Sequence, residues 1–327
     1  MFRKLVWFTA CFAFIVVVVG AYVRLEDAGL GCPDWPGCYG HLVGVPDQAH
    51  ELARAQEKFG QQVDAARAWK EMLHRYLAGT LGVLILAIAV VAWRERHTLR
   101  RSLLLAWSLV ALVAFQAALG MWTVTLLLKP VIVTLHLLGG MATWGLLTWL
   151  ALRELPAAGP ASPALLRLKP WAALGLAIVV VQIALGGWVS TNYAALACTD
   201  FPACHDAWLP PMDLPHAFQF LRELGVTATG APLPFEALTA IHWMHRAGAL
   251  VTLLYVGALA LALRRIPGMA RCGAALLAVL LLQVGLGVAN VVFSLPLPLA
   301  AAHNGGAALL VAALITVNFS VFARPAR

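Results

Sequence analysis

Four histidines of this chain recur in two equivalent settings, each near the start of an apolar run long enough to cross a bilayer. Glu71-Met-Leu-His74-Arg75-Tyr-Leu-Ala78-Gly79 opens one such run, and Ile241-His242-Trp-Met-His245-Arg246-Ala-Gly-Ala249 opens another, so both carry His-Arg-x-x-Ala. His136 and His303 lie early in two further runs. An ionisable residue within a membrane span is costly and marks a functional site by default. The partners within each half stand 62 (136 − 74) and 58 (303 − 245) residues apart, so neither pair is a local helical motif and each must meet across a bundle. Two imidazoles on facing helices are what a six-coordinate haem iron requires, which pairs His74 with His136 and His245 with His303 as axial ligands. Neutral imidazole also binds zinc or copper, but no cluster of Cys, Asp or Glu stands at the same depth to complete such a site. The plain alternative for any one of them is a hydrogen-bonded packing histidine. Their repetition at a common depth favours the metal or haem reading.

Other residues surround these four. Arg75 and Arg246, adjacent to their histidines at the membrane edge, are candidates to receive haem propionates as charge-assisted pairs. Gly139 and Gly306, one turn beyond His136 and His303, leave room for a flat macrocycle. Glu71 shares a helix face with His74, which places a carboxyl group above the same macrocycle; a helix-start glutamate favoured by the dipole is the competing explanation. The position equivalent to Glu71 in the second copy is His242, whose role stays ambiguous. Cys32/Cys38 and Cys198/Cys204, both Cys-x5-Cys, lie in polar stretches on the outer side, where an oxidising compartment favours disulfides. A zinc site would need two loops to combine, since the short Cys-x2-4-Cys spacing is absent. Such disulfides are either loop staples or redox-active pairs open to periplasmic thiol proteins.

The elements that carry these residues are membrane helices. Apolar residues make up 61% of the 327 and charged residues 12%, far from the averages of soluble domains. The net charge of +8 does not point to nucleic acid, because Lys and Arg fall in short clusters between apolar runs rather than in one patch. The basic start Met1-Phe-Arg3-Lys4 before an apolar run has the look of a signal peptide, but its internal counterpart makes it the first span. Spans are expected up to about Val23, then at about Glu71–Trp93, Leu103–Leu127, Val131–Leu152, Trp171–Ser190, Ile241–Leu263, Cys272–Phe293 and Leu299–Phe322. Eight spans put both termini and every basic cluster in the cytoplasm, and the long loops 24–70 and 190–240 outside.

The chain is also duplicated. The segment from Gly20 to Cys38 aligns without gaps on Gly186 to Cys204 at an offset of 166 (204 − 38), and Gln116-x-x-x-Gly120 matches Gln283-x-x-x-Gly287 at 167 (283 − 116). His136 matches His303 at 167, and His74 matches His245 at 171 (245 − 74). The expected fold is therefore an all-α membrane protein, two repeated four-helix bundles, residues 1–157 and 158–327, related by a pseudo-two-fold axis along the membrane normal.

Cys-Pro-Asp-Trp-Pro-Gly-Cys, Glu-x-x-His-Arg, the paired His-Arg-x-x-Ala segments and the eight-span duplication together resemble the haem A synthase family over nearly the whole chain. The resemblance implies oxidation of the C8 methyl of haem O to a formyl group, giving haem A for terminal oxidases. It implies haem O as substrate and haem A as product at His74 and His136 with Glu71 as proton acceptor or donor, and a permanent haem b on His245 and His303. It also implies a bacterial inner-membrane location, a haem O synthase as substrate donor and an electron acceptor of unassigned identity. Self-association as a homo-oligomer and contact with periplasmic thiol redox proteins are compatible with it. His242 departs from the family's pattern. Two other classes compete: a two-haem electron-transfer protein of the cytochrome b kind, which gives Glu71 no role, and a membrane thiol oxidoreductase, which leaves the histidines unexplained.

Overall fold

A bilayer offers no partner for a free backbone amide, so apolar runs of span length close their hydrogen bonds internally as helices. The computed structural model describes residues 1–156 and 161–322. In chain order the helices are α1 (Phe2–Leu25), α2 (Ala49–Phe59), α3 (Ala65–Arg94), α4 (Arg100–Thr125), α5 (Pro130–Arg153), α6 (Pro163–Leu166), α7 (Lys169–Thr191), α8 (Leu214–Ala217), α9 (Phe235–Arg264), α10 (Ala270–Val292) and α11 (Leu297–Phe322). Eight of them, α1, α3, α4, α5, α7, α9, α10 and α11, are long and apolar enough to cross a membrane. Among the described residues there is no strand, only isolated bridges. This is an all-helical, multi-pass membrane protein. The expected boundary between the halves, at 157/158, lies outside the described residues, as do Arg324 and Arg327.

The long helices pack as two rings. α1 packs on α3, α3 on α4, α4 on α5, and α5 returns to α1; α7, α9, α10 and α11 close in the same way. α1 and α5 also meet α11, and α5 meets α7, so these four form a shared inner wall. Burial follows from that layout: 56% of the α11 span is buried against protein but only 17% of α10, which faces outward. One apolar core, including Ile85, Ile88, Leu147, Leu150, Leu263, Leu280 and Leu314, runs through both rings. At the C-terminal ends of α1 and α7 Arg24 donates to the Ser190 carbonyl (2.8 Å) and Tyr193 Oη (3.0 Å), and Tyr193 Oη donates to Asp27 (2.9 Å). Ser190 and Tyr193 are the counterparts of Arg24 and Asp27 at the 166-residue offset, so matched positions of the two halves touch each other.

Two local features depart from the sequence reading. α3 and α9 start at Ala65 and Phe235, not near Glu71 and Ile241, so His74 and His245 stand more than two turns inside their helices rather than at the mouth. The cause at α3 is plain: the Asp64 side chain accepts from the Arg67 N–H (3.1 Å) as an N-cap, and the alanine-rich Ala65–Lys70 segment has high helix propensity although it is not apolar. The polar stretch 24–70 also contains α2, started by a Gln48/Glu51 capping box and ended by Gly60 in the left-handed region (φ 69°).

Candidate functional site

One mouth of each ring is closed by a small disulfide loop, and the two loops are built alike. Cys32 is bonded to Cys38 and Cys198 to Cys204, which settles the cysteines as disulfides rather than zinc ligands. All four are buried, an arrangement suited to a staple and poorly open to another protein's thiol. In the first loop Asp34 accepts from the backbone N–H groups of Tyr39 (2.6 Å) and Gly40 (2.7 Å); in the second Asp200 accepts from His205 (2.9 Å) and Asp206 (3.0 Å). The Asp206 and His205 N–H groups hold the Asp200 carboxyl below its usual range.

Arg75 and Arg246 hold these loops to the helices. Arg75 Nη1 donates to the carbonyls of Asp34 (2.9 Å), Pro36 (3.3 Å) and Gly37, and Arg246 donates to those of Asp200 (2.8 Å), Ala203 (2.8 Å) and Cys198 (2.7 Å). Glu71 belongs to the same network. Its Oε2 accepts the Cys32 N–H (2.9 Å) and its Oε1 accepts from Arg75 Nη2, so the carboxylate is 5% exposed and faces the disulfide loop. His242 takes that place in the second half, with Nδ1 3.2 Å from the Cys198 N–H and Nε2 3.3 Å from Arg246 Nε. A carboxylate accepts both donors at once; a neutral imidazole accepts at one nitrogen only. His242 is thus the positional substitute for Glu71, and a less complete one.

His74, His136, His245 and His303 sit one layer below, each against a glycine of the neighbouring helix. A Cβ added to Gly20 of α1 would lie 2.7 Å from the His74 ring, and one on Gly186 of α7 would lie 2.9 Å from His245; Gly120 of α4 and Gly287 of α10 stand likewise at 3.4 Å from His136 and 3.0 Å from His303. His74 lies within electrostatic range of His136, and His245 of His303, across each ring. Nδ1 of His74, His136 and His303 is buried without a hydrogen-bond partner. Packing histidines use their ring nitrogens, because an unpartnered buried polar atom costs ~1–3 kcal/mol. His242 matches that description. His74, His136 and His303 each retain an unused ring nitrogen, with thiols locked in disulfides and the nearby carboxylate engaged elsewhere, so the donor set fits axial ligation of haem and not a tetrahedral metal site.

A family model described as cytochrome oxidase assembly protein, COX15-CtaA, matches residues 3–315. The chain belongs to this family. A relative from Shewanella oneidensis bearing the name Heme A synthase is 44% identical over 313 residues, which cover 95% of this chain and 94% of the relative. Relatives of the same name from a Caulobacter species and from Nitrosospira multiformis are 29% and 28% identical, covering 95% and 96% of this chain and 93% and 92% of their own.

In this cytochrome oxidase assembly protein the sequence reading missed the glycines that face the histidine rings. A signal was present: Gln116-x-x-x-Gly120 and Gln283-x-x-x-Gly287 put a glutamine and a glycine on one face of a helix in both halves. Gly139 and Gly306 do not leave open space, since the side chains of Gln116 and Gln283 fill it. Gln182 of α7 stands beside His245, with Nε2 3.0 Å from Nδ1.

Proposed function

We infer that this chain converts haem O to haem A, oxidising the C8 methyl group to a formyl group for use in terminal oxidases. The observation that carries the reading is a pair of buried imidazoles in each helical ring, three of the four with an unpartnered Nδ1, in a family whose relatives bear the name Heme A synthase. His74 and His136 hold the substrate, haem O, and then the product, haem A. His245 and His303 hold haem b, which supplies one-electron redox chemistry when bound. The residues position both and exclude water. Methyl to formyl with water as oxygen source (–CH3 + H2O → –CHO + 4 H⁺ + 4 e⁻) takes two successive two-electron oxidations whose electrons pass to the acceptor, and Glu71, one turn from His74, serves as the proton acceptor or donor. Its contacts with Cys32 N–H and Arg75 support a fixed position for that carboxyl. Arg75 and Arg246 keep positive charge at the outer mouth of each site, where propionates are favoured.

The two rings correspond to halves 1–157 and 158–327 about a pseudo-two-fold axis along the membrane normal, in the bacterial inner membrane with both termini cytoplasmic. Reporters fused after Arg100 and Arg265 are expected to read cytoplasm, and those near Asp47 and Asp213 the outside; inverted signals would put the histidines on the wrong face. The partners are a haem O synthase that delivers substrate and an electron acceptor. The functional test is co-expression with a haem O synthase followed by chromatography of extracted haems. Haem A is expected only when this chain is present, and extracts holding haem O but no haem A would reject the activity.

A further inference from the structure

The two sites differ in what supports the first histidine of each. Gln182 of α7 lies against His245, its Nε2 3.0 Å from both Nδ1 and the backbone carbonyl, while its buried Oε1 has no partner. It is seated by Gly248, one turn beyond His245, where a Cβ would strike the amide oxygen. On the other side of each ring a glutamine also sits against a glycine, Gln116 on Gly139 and Gln283 on Gly306, but there Nδ1 of His136 and of His303 has no partner and Gln283 Nε2 lies 3.4 Å from His303 Nε2. The fourth seat is different. The counterpart of Gln182 is Val16 (182 − 166) and that of Gly248 is Leu77 (248 − 171), so the long amide and its glycine are replaced by a short aliphatic and a leucine. Val16 belongs to the apolar core and Leu77 packs on it, and His74 Nδ1 is left buried and unpartnered.

Metal-ligating histidines almost always give their second ring N–H to an acceptor, which fixes the tautomer and orientation and makes the ligand more basic; losing that acceptor typically costs ~10–100-fold in affinity. An imidazole bound to iron through Nε2 would carry its proton on Nδ1, and rotation of the Gln182 amide, which gives up the bond from Nε2 to the His245 carbonyl, would turn the free Oε1 to that proton as its acceptor.

We propose that Gln182, seated by Gly248, is the positioning residue that makes the second site retain its haem, and that Val16 and Leu77 deny His74 this partner so that the first site exchanges substrate for product. This rests on the ligand assignment made above. It concerns retention, which an enzyme needs at a resident cofactor and must avoid where product leaves.

The test transplants the pairs. Purified Gln182→Val/Gly248→Leu protein, made in a host without haem O synthase, is mixed with apomyoglobin as haem acceptor. Haem B is expected to leave on the order of 10–100-fold faster than from wild type, with a raised midpoint potential because the less basic imidazole stabilises ferric iron less. Gln182→Glu, which keeps an acceptor oxygen, is expected to restore retention and lower the potential. Val16→Gln/Leu77→Gly protein, made in a host with haem O synthase, is expected to lose haem O from the first site more slowly than wild type. Where the double variant fails to fold, Gln182→Met, which keeps the volume and removes the amide, gives the same comparison. Unchanged haem loss and potential in the folded variant overturn the proposal. His245→Ala run in parallel separates the two ideas: a stripped His245→Ala protein leaves the ligand assignment standing, whereas one that keeps its haem sinks the assignment itself.

Discussion

His245→Ala or His303→Ala protein is expected to purify without its b-type haem, while His74→Ala and His136→Ala proteins keep that haem and lose the ability to hold haem O. On the proposed assignment each alanine would remove one of two axial nitrogens, a larger loss than the ~10–100-fold that removal of an outer-shell partner brings. The two rings meet along α1, α5, α7 and α11, but each histidine pair lies within one ring, so damage to one pair should leave the other's haem in place. Reduced-minus-oxidised spectra of the four purified variants check this. Identical spectra in all four would reject two separate sites.

The second large effect is on turnover. Glu71→Gln keeps the shape of the side chain and removes its titratable proton, so haem A yield should fall ~10²–10⁴-fold, the usual effect of losing a positioned acid or base. The amide also presents an N–H₂ where the carboxylate accepts from Cys32 N–H and Arg75, so one of those two contacts is lost. Haem b content is expected to survive, because the contacts concerned belong to the first disulfide loop and not to the second ring. Chromatography of extracted haems should then show haem O or a hydroxymethyl intermediate accumulating. A normal haem A yield would remove Glu71 from the reaction, and loss of all haem would assign it a purely structural role.

The spans were legible in the sequence because lipid imposes one rule on every segment, and runs such as Val131–Leu152 and Lys169–Thr191 obey it with basic residues at their ends. The disulfides were legible because each joins cysteines six residues apart in a single loop. What escaped depends on adjacency between helices. Nothing in the sequence alone says that Gly20 faces His74 or that Gly248 seats Gln182, since helix rotation and depth decide both. The anchoring of Arg75 and Arg246 on loop carbonyls was hidden for a related reason: it requires the backbone path that Asp34 and Asp200 impose on their loops. Glu71 shows the limit of the face argument. An i, i+3 spacing put it beside His74, but a carboxylate turns to the nearest donors, and those are Cys32 N–H and Arg75.

The most direct measurement is the haem content of the purified wild-type protein from two hosts, one with and one without haem O synthase. Without the synthase the protein should carry haem B alone, removable by His245→Ala and not by His74→Ala. With the synthase it should carry, in addition, haem O and haem A, and His74→Ala should remove these while haem B stays. A haem complement that is the same in both hosts, or one from the host with the synthase that a single histidine variant abolishes entirely, would contradict a substrate site and a resident site in separate halves.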